Sequence, residues 1–250
     1  MRQDLSEVSQ NTRIKVLQVS KKANKGHIGS GLSICEIVVA ILATASGVGS
    51  KDNDRTRIVL SKGHAALAYY SALNEFGIIS ENDLNSYCVN GTKFGTHPDA
   101  VQMGTDFMTG SLGQGLSYGM GLAMAKKFRK EKGDVYVIVG DGELQEGQNW
   151  EAIMYAAGKN IDNLIVTIDY NKQQIDGSVL DIMGFHELKN KFEAFNWLVL
   201  EMNGNDMQDI LDTNAKAKTM RNQNKPIVIL IGSSDSCVLN GLICLYTSFT

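Results

Sequence analysis

Residues 134–177 read DVYVIVGDGELQEGQNWEAIMYAAGKNIDNLIVTIDYNKQQIDG, and this stretch decides the fold class. Two apolar runs, residues 135–139 and 164–168, have the length and composition of buried strands. The segment between them carries apolar residues at the spacing of one helix face: Trp150, Ile153, Met154 and Ala157. A strand, a helix and a strand of these lengths form a βαβ unit, in which the strands lie parallel and end at the same edge of the sheet.

A polar side chain with an oxygen ligand follows each strand of this unit. Asp141 lies in Gly140-Asp141-Gly142 after the first strand, and Asn171 comes after the second. We expect the two side chains to lie together, because open α/β sheets bind ligands at the carboxyl ends of their strands. Carboxylate and amide oxygens suit Mg²⁺ or Ca²⁺, and such ions typically hold phosphates as well. Gly142 has no Cβ, so a phosphate can approach the backbone N–H groups that begin the next helix.

Gly-Asp-Gly by itself is equally typical of a tight strand-to-helix turn. The amide that follows the neighbouring strand favours a metal-diphosphate site over that simpler interpretation. Two better-known phosphate motifs do not fit, because residues 140–147 lack the G-x-G-x-x-G spacing and no glycine loop is followed by G-K-[ST].

The rest of the chain alternates helical and strand-like segments. Helices are predicted at residues 6–24, 33–45, 64–76, 113–130 and 207–220, and further strands at residues 56–61, 197–202 and 226–231. Asp206 is predicted to cap the last helix. Alternation of this kind is typical of an α/β domain with a doubly wound, mostly parallel sheet and helices on both faces. We expect residues 1–231 to form that domain, and residues 232–250, which contain no lysine or histidine, to form a divergent or truncated C-terminal tail.

Length, charge and cysteine usage limit the class of protein. A chain of 250 residues is long enough for one large domain with a substantial core. The net charge of −3 and the pI of about 5.8 argue against a nucleic-acid partner. The longest apolar stretch, residues 34–45, contains Glu36 and is too short to span a bilayer. Because the N-terminus shows no secretory signal and the cysteines form no C-x-x-C pair, we expect a cytoplasmic protein that does not bind membranes.

Three of the four histidines, His27, His64 and His97, lie in glycine-containing loops or at a helix start, where side chains can face a cleft. A single histidine is more often an ordinary surface or core residue, and the wide spacing of these three does not match a structural zinc pattern. Imidazole titrates near neutral pH, so it suits proton transfer. The glycine-rich segment 110–115 precedes a helix and leaves backbone N–H groups for a ligand, although its glycines also permit close helix packing.

Five segments in a fixed order resemble transketolase, in particular its N-terminal half encoded as a separate short chain. Four of them are KGHIG at residues 25–29, LSKGH at 60–64, GTHP at 95–98 and TGSLGQG at 109–115. The fifth, Gly-Asp-Gly with an asparagine after the next strand, resembles the thiamine diphosphate motif. The similarity covers residues 20–231.

This resemblance implies a transferase that depends on thiamine diphosphate and Mg²⁺ (or Ca²⁺). It would move a two-carbon ketol unit from a ketose phosphate to an aldose phosphate, by default in the pentose phosphate pathway. His27 and His97 would contact hydroxyls of the donor ketose, while His64 would contact the diphosphate and assist proton transfer. The metal ligands would be Asp141, Asn171 and the backbone carbonyl of Gln173. The remaining cofactor contacts would come from Gly110, Ser111 and Leu112 at the aminopyrimidine, together with Gly140, Gly142, Glu143 and Asn171.

Two further residues are interpreted in the light of the resemblance. Glu146 matches the acidic residue that links paired active sites across the dimer interface of the family, although a solvated helix carboxylate is an almost equally simple interpretation. His186 matches no family motif and is interpreted as structural.

The resemblance also implies a missing half. The glutamate that activates the cofactor, and most arginines that hold a sugar phosphate, belong to the pyrimidine-binding half of the family, which a chain of 250 residues does not contain. We therefore expect the partner to be a separate C-terminal, pyrimidine-binding transketolase subunit, in an α₂β₂ heterotetramer with the cofactor at the interface. Two alternatives stay open. One is a protein similar to 1-deoxyxylulose-phosphate synthase or to the α chain of a keto-acid dehydrogenase, and the other is a non-catalytic scaffold subunit.

Overall fold

The computed structural model describes residues 4–98, 104–174 and 176–232, and its centre is a five-stranded sheet. The strands, in chain order, are β1 (Arg57–Leu60), β2 (Val135–Gly140), β3 (Leu164–Tyr170), β4 (Gln173–Gln174), β5 (Gly177–Ser178), β6 (Leu198–Asn203) and β7 (Ile227–Gly232). The large sheet has the order β1-β2-β3-β7-β6, while β4 and β5 pair antiparallel in a short hairpin. Neighbouring strands of the large sheet are all parallel, which confirms the predicted fold class.

Helices cover both faces of this sheet. In chain order they are α1 (Leu5–Ala23), α2 (Ile28–Leu32), α3 (Cys35–Thr44), α4 (Ala66–Glu75), α5 (Glu81–Asn85), α6 (Gln114–Arg129), α7 (Gly147–Gly158), α8 (Val179–Met183), α9 (Leu188–Ala194) and α10 (Met207–Thr219). Successive strand residues belong to two different cores, because successive side chains of a strand face opposite sides of the sheet. Ile138 lies in the core with α1, α3, α4 and α10, and Val137 lies in the core with α6, α7 and α9.

The predicted helices and strands are present, with ends that differ by a few residues. Asp206 caps α10 as predicted, because its side chain accepts hydrogen bonds from the N–H groups of Gln208 and Asp209. Two predicted helix starts are tighter 3₁₀ turns, Gly63–Ala65 before α4 and Gly142–Gln145 before α7. The short helices α2, α5, α8 and α9 are not predicted, since segments this short show little hydrophobic periodicity.

One side chain of the predicted apolar face of α7 lies in solvent. Met154 is 58% exposed, whereas Trp150 is half-buried and Ile153 is fully buried. Each residue turns a helix by about 100°, so the four side chains of the predicted face span a wide arc. The contact of α7 with α6 and the sheet buries only part of this arc, and Met154 lies at the edge of the arc. The buried residues of α7 are Asn149, Ala152, Ile153, Ala156 and Ala157.

The carboxyl edge of the sheet brings the loops after β1, β2 and β3 together. The parallel register pairs Gly140 with Asp169, and the Asp141 N–H donates a hydrogen bond to the Asp169 carbonyl oxygen (3.2 Å). On the other side of β2, the Ser61 N–H donates to the Ile138 carbonyl oxygen (2.8 Å). The segments that follow these three strands therefore lie side by side, as the βαβ pattern predicts.

The last strand, β7, ends at Gly232. Of the tail predicted at residues 232–250, only Gly232 belongs to the described residues. The separation of the tail from the domain stays a prediction. Within the described ranges, every helix is too short or too polar to serve as a membrane span.

Candidate active site

Asp141 and Asn171 lie together where β2 and β3 end. The Asp141 carboxylate is buried, and it accepts hydrogen bonds from the N–H groups of Gly142 (2.8 Å) and Lys172 (2.6 Å). The amide oxygen of Asn171 accepts a hydrogen bond from the Gln173 N–H (2.9 Å). These hydrogen bonds hold both side chains beside the segment that carries Gln173, so the three predicted metal ligands are close in space.

The chemistry of these groups fits a divalent cation. Burial and the neighbouring Asp169 raise the pKa of Asp141 to about 6, because its negative charge is held away from water beside a second one. A bound cation would remove that penalty. Among the residues that the structure describes, no group of three or more histidine, cysteine, aspartate or glutamate side chains could hold a metal ion. The available donors are instead a carboxylate, an amide and a backbone carbonyl, which are hard oxygen ligands suited to Mg²⁺ or Ca²⁺.

A buried ion pair lies directly behind the predicted ligands. The side chains of Lys62 and Asp169 are 2% and 0% exposed, and the Lys62 ammonium contacts the Asp169 carboxylate. Asp169 also accepts hydrogen bonds from the Ser33 hydroxyl (2.6 Å) and from the amide nitrogen of Asn171 (3.3 Å). Because an ionised carboxylate can only accept hydrogen bonds, the Asn171 amide turns its nitrogen, and not its oxygen, towards Asp169 in the protein interior. This pair was not predicted from the sequence, although a charged residue inside the apolar strand β3 was an available signal.

The two glycines that flank Asp141 differ in how closely other residues approach them. A Cβ built on Gly142 would lie 3.1 Å from the amide oxygen of Gln174, which is closer than ordinary van der Waals contact. At Gly140 the nearest atom to such a Cβ would be the Lys62 Cβ at 3.7 Å, an ordinary contact. The need for glycine is therefore stronger at Gly142, where the hairpin of β4 and β5 approaches the Gly-Asp-Gly turn.

His27, His64 and His97 converge although they are far apart in the chain. The ring centroid of His27 lies 5.6 Å from that of His64 and 5.7 Å from that of His97. Burial lowers the pKa of His64 to about 3, and the positive Lys62 and the other two histidines add to the effect. Burial and His97 lower the pKa of His27. At neutral pH His27 and His64 are therefore neutral imidazoles, each with one donor and one acceptor nitrogen for hydroxyl groups.

Gly110 and Ser111 line a cavity of about 310 Å³ beside the histidines. The rest of its lining consists of Pro98, Phe107, Met108, Thr109 and Gln114. A Cβ built on Gly110 would lie 3.8 Å from the His97 ring, so the cavity adjoins the histidine cluster. Leu112 does not line it, and its carbonyl oxygen accepts a hydrogen bond from the Gln148 amide (3.4 Å). The cavity is at the lower end of the volumes that hold small molecules in proteins.

The loop that carries Gly110 is held by a buried carboxylate that sequence analysis missed. Asp106 accepts hydrogen bonds from the guanidinium groups of Arg55 and Arg57 and from the Ile58 N–H (3.1 Å). The Tyr118 hydroxyl donates to the Asp106 carbonyl oxygen (3.3 Å). These bonds attach the loop to β1 and α6. No local pattern reveals them, because Arg55 and Asp106 are 51 positions apart.

The two glutamates that follow the Gly-Asp-Gly turn differ in their surroundings. Glu143 is 2% exposed, and its carboxylate accepts hydrogen bonds from the Ser61 hydroxyl and from the N–H groups of Gly113 and Gly140. Because its carboxylate is used within the protein, its predicted contact with a cofactor would be made by its backbone. Glu146 is exposed at the start of α7, and its role at a dimer interface stays a prediction.

Residues 5–235 match the family model described as transketolase, thiamine diphosphate binding domain. The chain belongs to the transketolase family. Over 92% of its length it is 38% identical to a 6-deoxy-6-sulfo-D-fructose transketolase subunit from a Clostridium species, of which it covers 84%. Over 82% of its length it is 38% identical to an apulose-4-phosphate transketolase subunit from Phocaeicola vulgatus, of which it covers 74%. The crystal structure of transketolase from Campylobacter jejuni superposes with a TM-score of 0.84 at 31% identity.

The matches cover different shares of the proteins that this chain resembles. The superposition covers 91% of this chain but only 37% of the Campylobacter transketolase. The chain thus spans about a third of a solved transketolase, while it spans most of the two relatives that are named subunits. Its cofactor class is that of the matched domain, thiamine diphosphate. All predicted site residues, from His27 to Gln173, lie inside the matched range.

Proposed function

We propose that this chain is the diphosphate-binding subunit of a transketolase, which moves a two-carbon ketol unit from a ketose phosphate to an aldose phosphate. The observation that carries the proposal is the meeting of two groups of side chains at one edge of the sheet. Asp141 and Asn171, which follow β2 and β3, form an edge of hard oxygen ligands. The three clustered histidines follow α1, β1 and α5, and Lys62, two positions before His64, contacts Asp169 on β3. Hard oxygen ligands alone would fit many phosphate-binding enzymes, whereas the neutral imidazoles of His27 and His64 fit a substrate with several hydroxyls.

The predicted metal ligands would hold the cofactor by its diphosphate. Asp141, the amide oxygen of Asn171 and the backbone carbonyl of Gln173 would bind Mg²⁺ or Ca²⁺, which in turn holds phosphate oxygens. Because Gly142 has no Cβ of its own, the diphosphate would approach the backbone N–H groups there. His64 would lie at the same edge, because it comes two positions after Lys62, whose ammonium contacts Asp169 near the end of β3, just before Asn171. Bound thiamine diphosphate supplies a thiazolium ring that stabilises carbanion character at the reacting carbon.

The histidines and the 110–112 loop would hold the remaining partners of the reaction. His27 and His97 would hydrogen-bond to donor hydroxyls and orient the ketose. His64 is kept neutral by burial and by Lys62, and an anionic diphosphate beside it would oppose that effect and make it a better proton acceptor. The backbone of residues 110–112 would contact the aminopyrimidine, for which the adjoining cavity offers room.

The activity would require a second, pyrimidine-binding subunit. Two relatives of similar length are named transketolase subunits, which supports a separately encoded partner for this chain. Large apolar side chains are exposed on α7 and α8, as at protein–protein contacts: Met154, Tyr155, Leu180, Ile182 and Met183. An α₂β₂ heterotetramer with the cofactor between the two kinds of subunit fits these features. Glu146, exposed at the start of α7, would then face another subunit.

The substrates would be sugar phosphates of cytoplasmic carbohydrate metabolism. Pentose phosphates are the default for the family. The two subunit relatives are named for a 6-deoxy-6-sulfo-D-fructose and for apulose-4-phosphate, which also supports a specialised sugar as the donor. A panel of ketose donors is therefore part of the test.

Reconstitution tests the proposal. The purified chain, mixed with its partner subunit, thiamine diphosphate and Mg²⁺, is expected to transfer ketol units from a ketose phosphate to an aldose phosphate. Asp141→Ala is expected to abolish Mg²⁺-dependent cofactor binding, because it removes the carboxylate from a small set of ligands. Asp212→Ala, which removes the same charge from an exposed position on α10, is the matched control and should bind normally.

Each alternative has its own outcome in this experiment. A complex that binds the cofactor but uses pyruvate in preference to ketoses would identify a related thiamine enzyme. A parent complex that binds no thiamine diphosphate would identify a non-catalytic scaffold subunit.

A further inference from the structure

The carboxylate of Glu143 is a buried group that the proposed mechanism does not use. It accepts three hydrogen bonds, from the Ser61 hydroxyl (2.5 Å), the Gly113 N–H (2.8 Å) and the Gly140 N–H (3.1 Å). The donors belong to three separate segments, which are the end of β1, the loop before α6 and the end of β2. One carboxylate therefore joins three parts of the chain that are far apart in sequence.

Each of these segments carries residues proposed to hold the cofactor. Ser61 lies three positions before His64, and Gly113 directly follows the 110–112 loop. Gly140 directly precedes Asp141. The three donors to Glu143 thus come from the histidine segment, the aminopyrimidine loop and the metal segment of one site.

The segments also touch one another closely around this carboxylate. A Cβ built on Gly115 would lie 2.4 Å from the Ser61 hydroxyl, and one built on Gly63 would lie 2.5 Å from the Thr109 hydroxyl. Contacts this short leave no space for any side chain at these glycines. The histidine segment is therefore packed tightly against Thr109 and the first turn of α6, which flank the aminopyrimidine loop, so a small displacement of one would displace the other.

The turn that bears Glu143 is itself anchored by α7. The Asn149 amide donates to the Glu143 carbonyl oxygen (2.7 Å), and the Trp150 indole donates to the Leu144 carbonyl oxygen (2.8 Å). Asn149 is fully buried. The turn is consequently held by α7 through its backbone, while the carboxylate of Glu143 is bonded to three other segments.

The three donors explain why this position needs a carboxylate. One carboxylate oxygen serves Ser61 and Gly113, and the other serves Gly140. An ionised carboxylate offers two acceptor oxygens, whereas a glutamine of the same shape offers one oxygen and an amide nitrogen that donates. A glutamine would therefore face at least one backbone N–H with a second donor.

We propose that Glu143 is a positioning residue that sets the relative placement of the three cofactor-facing segments, while its side chain touches neither cofactor nor substrate. The inference rests on the proposed function. The Glu143 carboxylate holds the three segments in their places before the cofactor binds. Loss of one of its hydrogen bonds should therefore weaken cofactor binding more than it weakens the fold.

The test measures cofactor affinity of the assembled two-subunit complex by titration calorimetry with thiamine diphosphate at saturating Mg²⁺. We expect Glu143→Gln to weaken the affinity roughly tenfold or more, because a hydrogen bond to a charged group is lost. Ser61→Ala, which removes one of the three donors, should weaken it in the same direction by a smaller factor. Ser71→Ala is the matched control, since this buried hydroxyl on α4 has no hydrogen-bond partner among the described residues, and should leave the affinity unchanged.

Thermal unfolding separates positioning from a general loss of stability. A positioning role predicts weaker cofactor binding in variants whose unfolding midpoint stays close to that of the parent. Unchanged cofactor affinity in both Glu143→Gln and Ser61→Ala would overturn the inference, whatever their stability. If Glu143→Gln does not assemble, Ser61→Ala against Ser71→Ala decides the matter. A parent complex that binds no cofactor would overturn the proposed function and this inference together, whereas normal binding by the parent and both variants overturns the inference alone.

Discussion

The contribution of Asp141 to the stability of the metal-free chain is predicted to fall as the pH rises from 4 to 7. Burial and the adjacent Asp169 raise the pKa of this carboxyl from 3.8 to about 6 in the folded chain. Between these two values the folded chain holds a proton that the unfolded chain has lost. Protons bound only by the folded state stabilise it, so the contribution of Asp141 is present below pH 3.8 and is lost as the pH rises towards 6.

The magnitude follows from the size of the shift. One pKa unit corresponds to about 1.4 kcal/mol, and part of the difference lies outside the measured window, so the expected loss between pH 4 and pH 7 is about 2 kcal/mol. Because Asp141 is 3% exposed, solvent screening takes little from this figure. Mg²⁺ should reverse the trend, since the cation stabilises the ionised carboxylate and binds only the folded chain.

The assay is chemical denaturation of the metal-free chain at several pH values, with Asp141→Asn as the comparison. Asparagine has no titrating proton, so the difference in unfolding free energy between parent and variant isolates the contribution of Asp141. His64 contributes with the opposite sign, because its pKa falls from 6.5 to about 3 on folding and the unfolded chain holds the proton between these values. This contribution is common to parent and variant, so it cancels in their difference. A difference between parent and Asp141→Asn that is constant from pH 4 to pH 7 would refute the reasoning, as would a parent that becomes more stable with pH relative to the variant.

The other predictions concern substrate contact, the loop anchor and the core. His27→Gln should lower kcat/KM for the ketose at least about tenfold in the assembled complex, because a hydrogen bond to the substrate is lost. His186→Gln, at an exposed position, is the control and should stay within about twofold. Equal effects of the two substitutions would contradict the assignment of His27. Asp106→Ala should destabilise the chain by about 3 kcal/mol in denaturant titrations, because Arg55 loses its buried partner; a change below about 1 kcal/mol would contradict the role of the carboxylate as an anchor. Phe192→Ala should cost about 3–4 kcal/mol by the same measurement, since this side chain is fully buried beneath β6 and α7, and a near-zero effect would show that the core is misassigned.

The fold and the predicted metal ligands at the end of β2 and β3 could be predicted because they depend on local patterns. Apolar runs and helical spacing are visible in any window of the chain, and they place β2, α7 and β3 correctly. The adjacency of Asp141 and Asn171 then follows from the parallel pairing of two strands joined by a helix. The same reasoning failed for Met154, because spacing along a helix does not determine how much of the apolar face meets a neighbour.

The surroundings of the site residues could not be predicted, because they depend on residues far away in the chain. Lys62 and Asp169 are separated by 107 positions, and Glu143 meets donors 82 and 30 positions away. The convergence of the three histidines likewise requires the sheet to bring their segments together. A short window of sequence contains no pattern that predicts such contacts. The short helices α8 and α9 were not predicted either, because they lack hydrophobic periodicity.

By itself the sequence determined the fold class, the resemblance to transketolase and the residue types available for a cation and a diphosphate, because periodicity and motif order are properties of the chain alone. Only the tertiary structure decided the state of those residues. It raised the pKa of Asp141 by burying it beside Asp169, and it kept His64 neutral. It also turned Glu143 inward among three loops. Burial and hydrogen bonding between distant segments set charge and orientation, and these exist only once the chain has folded.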